Sequence, residues 1–352
     1  MEAFHCADAF SRAAFTVCPA TPDLSFSNEE WSEVVAHYLG LPSPACLRRL
    51  GEPIRVEGAP ALDAYGKNLL SGRGVLNLDG ARTVWHDSVL RAYAKTAREA
   101  GYSVCTRTFM GLVSGVMSAD ARARLVKSFD DRRRLGSSKR WDAGSIVPDA
   151  ILRCPDERPS LVEIKTVDTN NQYYTKGSIE GKPGHLRPVD KRADKIPEEY
   201  VTKSREIDVQ FNGTGSAGGG PMEQQLRDYG EVQPIVAGKY GEMNKGALDH
   251  ALNFAESIAA KNFWELTAAA GVDTPREAAQ VVKREIIQLW GCSNVRARAR
   301  SLLSLLDYVG PEISVLRSQD RRHNMLRRGL RQDEFIRSSS ARVPGPPRRG
   351  LR

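Results

Sequence analysis

Alternation of apolar and polar residues predicts a β-hairpin near the middle of the chain. Two short apolar runs, 146–153 and 160–167, flank a turn that is rich in Pro and Asp. Runs of this kind, bounded by turn residues, are typical of paired strands. Because side chains alternate along a strand, Glu163 and Lys165 share one face and Ile164 lies on the other.

The same hairpin places a second acid beside Glu163. Asp149 stands opposite Glu163 if the turn is centred on Asp156, and directly opposed residues have Cβ atoms about 4.5–5.5 Å apart. Two ionised carboxylates at that distance repel each other, which a shared proton or a hard cation such as Mg²⁺ relieves. The pair therefore predicts a metal site, with an ordinary hairpin carrying a surface Glu–Lys pair as the alternative.

Helical periodicity surrounds the hairpin. A capping box beginning at Ser27 opens a helix, and residues 1–26 before it are expected to be irregular. An apolar stripe predicts a helix over 85–100 that ends at Gly101, and 102–109 follows as a strand. After the hairpin we expect a strand over 232–237 and helices over 198–211, 222–229, 245–266, 275–289 and 295–308.

The order of these elements indicates the fold class. From residue 85 to residue 260 the order is helix, strand, strand, strand, helix, strand, helix, which suits an α/β protein with a small mixed sheet flanked by helices. The expected segments are an N-terminal helical or irregular segment (1–82), the core (83–265, with a Gly-rich insertion at 212–221), a helical C-terminal extension (275–310) and a basic, largely disordered tail (311–352).

Composition excludes several classes of protein. The chain has 352 residues, of which 41% are hydrophobic and 27% charged, as in ordinary globular proteins. Its six cysteines form no C-x-x-C pair, so we expect neither a zinc finger nor a disulfide framework, but an intracellular, reducing compartment, the nucleus in a eukaryote. No apolar run approaches the roughly 20 residues of a membrane span, and no signal peptide is expected.

Positive charge is concentrated near the C-terminus. The net charge is +8, and the segment from Arg276 onward contains 17 Lys and Arg against 7 Asp and Glu. This excess predicts a polyanionic partner, nucleic acid above all, while a solvated tail without a partner is the alternative. Lys203 and Arg205 are further candidates for backbone contacts. The basic residues considered as nucleic-acid contacts are Arg132, Arg133, Arg134, Lys139 and Arg140 before the hairpin, and Arg321, Arg322, Arg327 and Arg328 in the tail.

The hairpin carries a recognisable signature. Pro148-Asp149 followed by Glu163-Ile164-Lys165 resembles the motif of the PD-(D/E)XK nuclease superfamily, whose core has the order of elements given above. The resemblance implies a restriction-endonuclease-like fold in which Asp149 and Glu163 hold Mg²⁺ or Mn²⁺ and a neighbouring main-chain carbonyl completes the shell. It also implies that Lys165 positions or polarises the attacking water.

A longer stretch, about 41–262, resembles the C-terminal region of non-LTR retroelement reverse transcriptases. In that region a zinc knuckle precedes a restriction-like endonuclease domain, and the anchors here are Gly66, His86 and the acids. Asn68 and Gly72 stand where that family has zinc ligands, so no zinc is expected. The resemblance covers no polymerase, which makes a separately encoded polymerase a candidate partner.

The two resemblances add supporting residues. His86 would lie beside the metal or move a proton, with Asp87 next to it, although a histidine that merely packs at a helix start is the alternative. Gln225 and Tyr229 reproduce the Q-x-x-x-Y spacing of one branch of the superfamily, on successive turns of a helix. Chance also produces this spacing easily.

The sequence thus predicts a metal-dependent endonuclease, related to mobile elements, that cuts or nicks DNA. Two alternatives stay open. One is a catalytically inactive nucleic-acid-binding protein with the same fold, and the other is an RNA endonuclease. The enzyme prediction requires that Asp149, Glu163 and Lys165 converge within a few ångströms in a groove lined by arginines, and it fails if Asp149 faces the core or the opposite side of the sheet.

Overall fold

The computed structural model describes residues 7–19, 21–55, 59–70, 81–106, 118–120, 123–124, 148–154, 158–167, 187–213 and 219–310. Within these residues the regular structure is mostly helical and includes one small sheet, and no helix is long and apolar enough to span a membrane. In chain order the elements are α1 (Ala9–Thr16), α2 (Asn28–Leu39), α3 (Pro44–Leu47), α4 (Lys67–Leu70), α5 (Ala81–Glu99), β1 (Ser103–Cys105), β2 (Ala150–Arg153), β3 (Ser160–Val167), α6 (Pro188–Phe211), α7 (Pro221–Tyr229), β4 (Gln233–Gly238), α8 (Lys245–Lys261), α9 (Phe263–Ala270) and α10 (Pro275–Leu305), with 3₁₀ turns at Pro22–Leu24 and Leu306–Tyr308.

The four strands lie in the order β1-β2-β3-β4. The first two pairings are antiparallel, and β3 pairs with β4 in parallel. A parallel pair needs a long crossover connection, which α6 and α7 provide. The chain is therefore a mixed α/β protein with a small mixed sheet, and the predicted order of elements is confirmed, with α6 and α7 together in the place of the second helix.

The two faces of the sheet bury different sets of side chains. On one face, Val162 and Ile164 join a large cluster that includes Trp85 of α5, Phe254 of α8 and Trp290 of α10. On the other face, a smaller cluster forms between the hairpin and helices α6 and α7, through Ile151, Leu161, Ile196 and Leu226. Burying each large apolar side chain stabilises the fold by about 1.5–3 kcal/mol. Of the candidate carboxylates, Glu163 belongs to the second face.

Helix α10 differs from the sequence prediction. Two helices, 275–289 and 295–308, were expected, but one 31-residue helix runs from Pro275 to Leu305. A Cβ at Gly291 would lie 2.2 Å from the carbonyl oxygen of Phe10 in α1. Glycine here allows α1 to approach, and it does not end the helix. Trp290, the residue before Gly291, packs into the same apolar cluster as one face of the sheet.

Three other boundaries were predicted wrongly. Residues 1–26 were expected to be irregular, but Asp8 forms a capping box and opens α1. Helix α6 begins at Pro188, ten residues before the expected start, and includes Pro197 in its interior. Proline in that position removes a backbone hydrogen bond, but the apolar face of α6 is fully packed. The helix expected over 245–266 is interrupted at Asn262, which ends α8 and begins α9.

Candidate functional site

The hairpin has the register that the sequence predicted. Ala150 pairs with Val162, and Ile151 pairs with Leu161, so the paired positions are symmetric about number 156. Continuing this register places Asp149, which directly precedes β2, opposite Glu163. Because side chains alternate, Glu163 lies on the face of the sheet that packs against α6, and Asp149 lies beside it at the end of the β2–β3 ladder, where its carboxylate contacts the Ile164 amide and His86.

Glu163 is a buried carboxylate with two donors. Its residue is 6% exposed, its Oε1 atom contacts the Lys165 ammonium, and its Oε2 accepts a hydrogen bond of 2.6 Å from the Tyr200 hydroxyl. Burial raises the pKa of Glu163, and the negative charge of Asp149 raises it further, while Lys165 and Tyr200 oppose the shift. A cation at this position would relieve the same electrostatic cost.

Asp149 is stabilised by the backbone of the neighbouring strand. The pairing between β2 and β3 reaches only as far as Ala150, and the amide of Ile164 donates to Asp149 Oδ2 at 2.7 Å. The same oxygen lies 3.1 Å from His86 Nε2. The Asp149 side chain therefore closes the end of the ladder and joins the hairpin to α5.

His86 is surrounded by acceptors. Its Nδ1 lies 3.1 Å from Asp87 Oδ1, and its Nε2 lies 3.1 Å from the carbonyl oxygen of Ile164 as well as from Asp149. Only the doubly protonated ring donates at both nitrogens. Burial on its own would lower the pKa of His86, but the hydrogen bonds to Asp149 and Asp87 outweigh it and raise the pKa to about 10. Both ring nitrogens therefore face acceptors, and this arrangement favours the protonated ring.

Helix α6 contributes residues that sequence reasoning missed. Tyr200 bonds Glu163, its own pKa is raised by burial and by that carboxylate, and the Lys203 ammonium lies 5.8 Å from the centre of its ring. Arg192 and Glu199 form a two-point ion pair on the same helix. The helical periodicity of α6 placed Tyr200 on an apolar face, but no local signal indicated which carboxylate it would meet.

Other candidate residues lie elsewhere. Gln225 is half-buried on α7, and Tyr229 packs against the apolar cluster under α6 and α7. Arg205, a candidate backbone contact, instead pairs with Glu223, which also binds Arg227. The basic residues at 132–134, 139–140, 321–322 and 327–328 lie outside the described residues, as do the segments 168–186 and 311–352.

The donor set suits a hard cation. Asp149, Glu163 and the carbonyl of Ile164 supply oxygen atoms on adjacent positions of the hairpin, and Mg²⁺ prefers oxygen ligands. Among the described residues, however, no three His, Cys, Asp or Glu side chains form a ready-made cage. In the knuckle-like segment, Asn68 donates its side-chain amide to the Ala61 carbonyl at 2.7 Å.

Fold and site together define a class: a mixed α/β protein in which a buried glutamate and a half-buried aspartate lie side by side on one hairpin, contacted by Lys165 and His86. Comparison adds no family to this description, since no family model matches the chain and neither the curated proteins nor the solved structures contain a match.

Proposed function

We propose that this chain is a metal-dependent phosphodiesterase with a restriction-endonuclease-like core, related to the nucleases of mobile elements, and that it cuts or nicks DNA. One observation carries the proposal. Asp149 and Glu163 lie opposite each other on the hairpin, and Lys165, two residues after Glu163, contacts its carboxylate. The resemblance to the PD-(D/E)XK motif requires these three side chains to lie together, and their proximity supports the proposal.

Each residue has a distinct part in this chemistry. Asp149, Glu163 and the Ile164 carbonyl would hold Mg²⁺ or Mn²⁺. When bound, the ion would lower the pKa of a coordinated water and would neutralise charge on the phosphate. Lys165 has a side chain that is 39% exposed, so its ammonium reaches both Glu163 and a phosphate that approaches from solvent.

His86 and Tyr200 support the two acids. His86 contacts Asp149 and the Ile164 carbonyl from the side of α5, so it would orient two of the proposed metal ligands. Tyr200 fixes one oxygen of Glu163 from the side of α6. Neither carboxylate is then free to rotate, and a site held in one geometry needs less reorganisation during the reaction.

A second candidate function is supported by the charge balance of the site. Lys165 already contacts Glu163, and the His86 ring already contacts Asp149. Two cations therefore compensate two carboxylates without any metal. This arrangement favours a catalytically inactive nucleic-acid-binding protein that retains the fold.

The experiment is a nicking assay with supercoiled plasmid and the full-length chain. We expect cleavage with Mg²⁺ or Mn²⁺ and none with EDTA. Glu163→Gln and Lys165→Met should each reduce the rate by at least about 100-fold. The matched controls are Glu33→Gln, which changes a buried carboxylate bonded to the Ala45 amide, and Lys191→Met, which changes an exposed lysine of α6.

Two results would count against this mechanism. The first is cleavage that persists in EDTA, and the second is a Glu163→Gln rate equal to that of Glu33→Gln. Binding to DNA without any cleavage by the wild type would favour the second candidate. An RNA substrate of matched sequence, tested in parallel, decides which sugar the site accepts.

A further inference from the structure

One edge of α6 lies beside the acid pair and carries exposed charge. Arg192, Glu199 and Lys203 follow one another at seven and four residues, so they lie within about 20° of a single line along the helix. This line borders the buried face of α6, which includes Tyr200. We call the three residues the α6 edge.

The α6 edge is connected to Glu163 through direct contacts. The Lys203 ammonium lies 5.8 Å from the ring centre of Tyr200, and the Tyr200 hydroxyl donates to Glu163. Arg192 and Glu199 are paired, yet their side chains remain 29% and 41% exposed. The hydrogen bond to Glu199 raises the pKa of Arg192, and the charge of Glu163 adds to that shift, so Arg192 also lies near the buried carboxylate. With Lys165, the edge therefore brings three cations and one partly exposed acid close to Glu163.

Other cations near this face have structural partners. Arg205 and Arg227 both bind Glu223, whose side chain is 1% exposed. Arg187 bridges Asp8 and Asp190. These contacts join α6 to α7 and to the N-terminal segment. Arg192 is different, because its partner Glu199 is itself exposed on the same helix.

We propose that Arg192 and Lys203, together with Lys165, form a contact site for the non-bridging phosphate oxygens of a nucleic-acid strand. Glu199 holds Arg192 when no strand is bound and weakens binding by its charge. A guanidinium makes the same two-point contact with a phosphate as with a carboxylate, so Arg192 exchanges Glu199 for phosphate without losing hydrogen bonds. The inference rests on the proposed function, since it takes the same substrate as its ligand.

The test measures binding separately from cleavage. Full-length protein is titrated into fluorescent duplex and single-stranded DNA in EDTA, and anisotropy is recorded at several salt concentrations. The variants are Lys203→Gln, Arg192→Gln and Glu199→Gln. Lys191→Gln is the matched control, because this exposed lysine is one residue from Arg192 and therefore about 100° away around α6.

We expect substitutions of the cations and of the acid in the α6 edge to change DNA affinity in opposite directions. Lys203→Gln and Arg192→Gln should each weaken binding by about threefold to tenfold and lower the slope of log affinity against log salt by about 0.9 on duplex or 0.7 on single strands. Glu199→Gln should tighten binding by about threefold, because it removes a like charge next to the phosphates. Lys191→Gln should stay within about twofold of the wild type.

The outcomes separate this inference from the proposed function. The contact site is overturned if Lys203→Gln and Arg192→Gln bind as Lys191→Gln does, or if Glu199→Gln weakens binding. Thermal unfolding of each variant shows whether a loss of affinity reflects loss of the fold, and Arg192→Lys, which keeps the charge, should then recover part of the affinity. If DNA binding responds to the variants and to salt as expected but the wild type does not cleave DNA in Mg²⁺, the proposed enzyme activity is overturned and the contact site is not. A wild type that binds no DNA would overturn both.

Discussion

Two regions of the molecule each contain a buried tyrosine and a histidine: the candidate site, and the aromatic core between α5 and α8. The hydrogen-bond partners of these two side chains differ between the regions. In the core, Tyr93 of α5 and His250 of α8 bond to each other at 2.8 Å and pack against Phe254. In the site, His86 and Tyr200 do not bond to each other, and each bonds a carboxylate.

The pKa values of the two histidines follow from this difference. Burial lowers the pKa of His250 to about 4, and the nearby Asp249 opposes that shift without reversing it. Burial acts on His86 in the same direction, but Asp149 and Asp87 raise its pKa to about 10. Burial alone therefore produces a neutral pair that serves packing. Hydrogen bonds to carboxylates, which His86 has, favour the charged ring, and a strongly shifted pKa of this kind marks a candidate functional site.

The largest expected effect tests whether this charge has a function. His86→Gln should reduce metal-dependent nicking by about 100-fold, because it removes the cationic group that holds Asp149 and the Ile164 carbonyl in position. His250→Gln should leave the rate within about twofold of the wild type. Single-turnover rates at pH 7 measure both. Equal rates in the two variants would show that His86 only packs at the start of α5.

The next effect tests the neutral histidine of the core. The unfolded chain protonates His250 near its ordinary pKa of 6.5, whereas the folded chain does so only near 4. Between these values the unfolded state binds more protons, so the contribution of His250 to stability is complete above pH 6.5 and is lost as the pH falls toward 4.

Urea unfolding at pH 7 and pH 5 measures this contribution. The wild type should lose about 2 kcal/mol more stability between these two pH values than His250→Gln does. Other titrating groups contribute equally to both proteins, so the difference between them is the quantity of interest. Identical losses would mean that His250 is protonated in the folded state.

The smallest effect compares the two tyrosines. Tyr200→Phe removes one donor from Glu163 and should lower the cleavage rate about tenfold and weaken Mn²⁺ binding, with little change in the KM for DNA. Tyr93→Phe should lower the free energy of unfolding by about 1 kcal/mol and leave cleavage unchanged. Rates, Mn²⁺ affinity and urea midpoints are measured for both variants. If Tyr200→Phe affected only stability, its role would be the same as that of Tyr93.

Local patterns were sufficient for the hairpin and much of the fold. Prolines and aspartates around Asp156 marked the turn, and alternation then placed Asp149 opposite Glu163, as the register shows. The capping box at Ser27 and the helix that Gly101 follows were also predicted correctly. These features depend on residues a few positions apart, whose hydrogen bonds are made within the segment itself.

Long-range contacts explain most of the errors. Gly291 suggests a break when α10 is considered alone, but the close approach of Phe10 makes it a packing position. Pro197 argues against a helix locally, yet the apolar face of α6 packs on the hairpin on both sides of it. In both cases a tertiary contact outweighs a local preference of about 1 kcal/mol for glycine or 3 kcal/mol for proline.

The sequence by itself determined which residues of the hairpin could act together. Side chains alternate along a strand, so Glu163 and Lys165 share a face, and the position of the turn sets Asp149 opposite Glu163. Tertiary structure alone decided their partners. His86 is 63 positions before Asp149 in the chain, and Tyr200 is 37 positions after Glu163. Their positions depend on how α5 and α6 pack on opposite faces of the sheet. The charge of His86 and the burial of Glu163 follow from that packing, and no local pattern contains it.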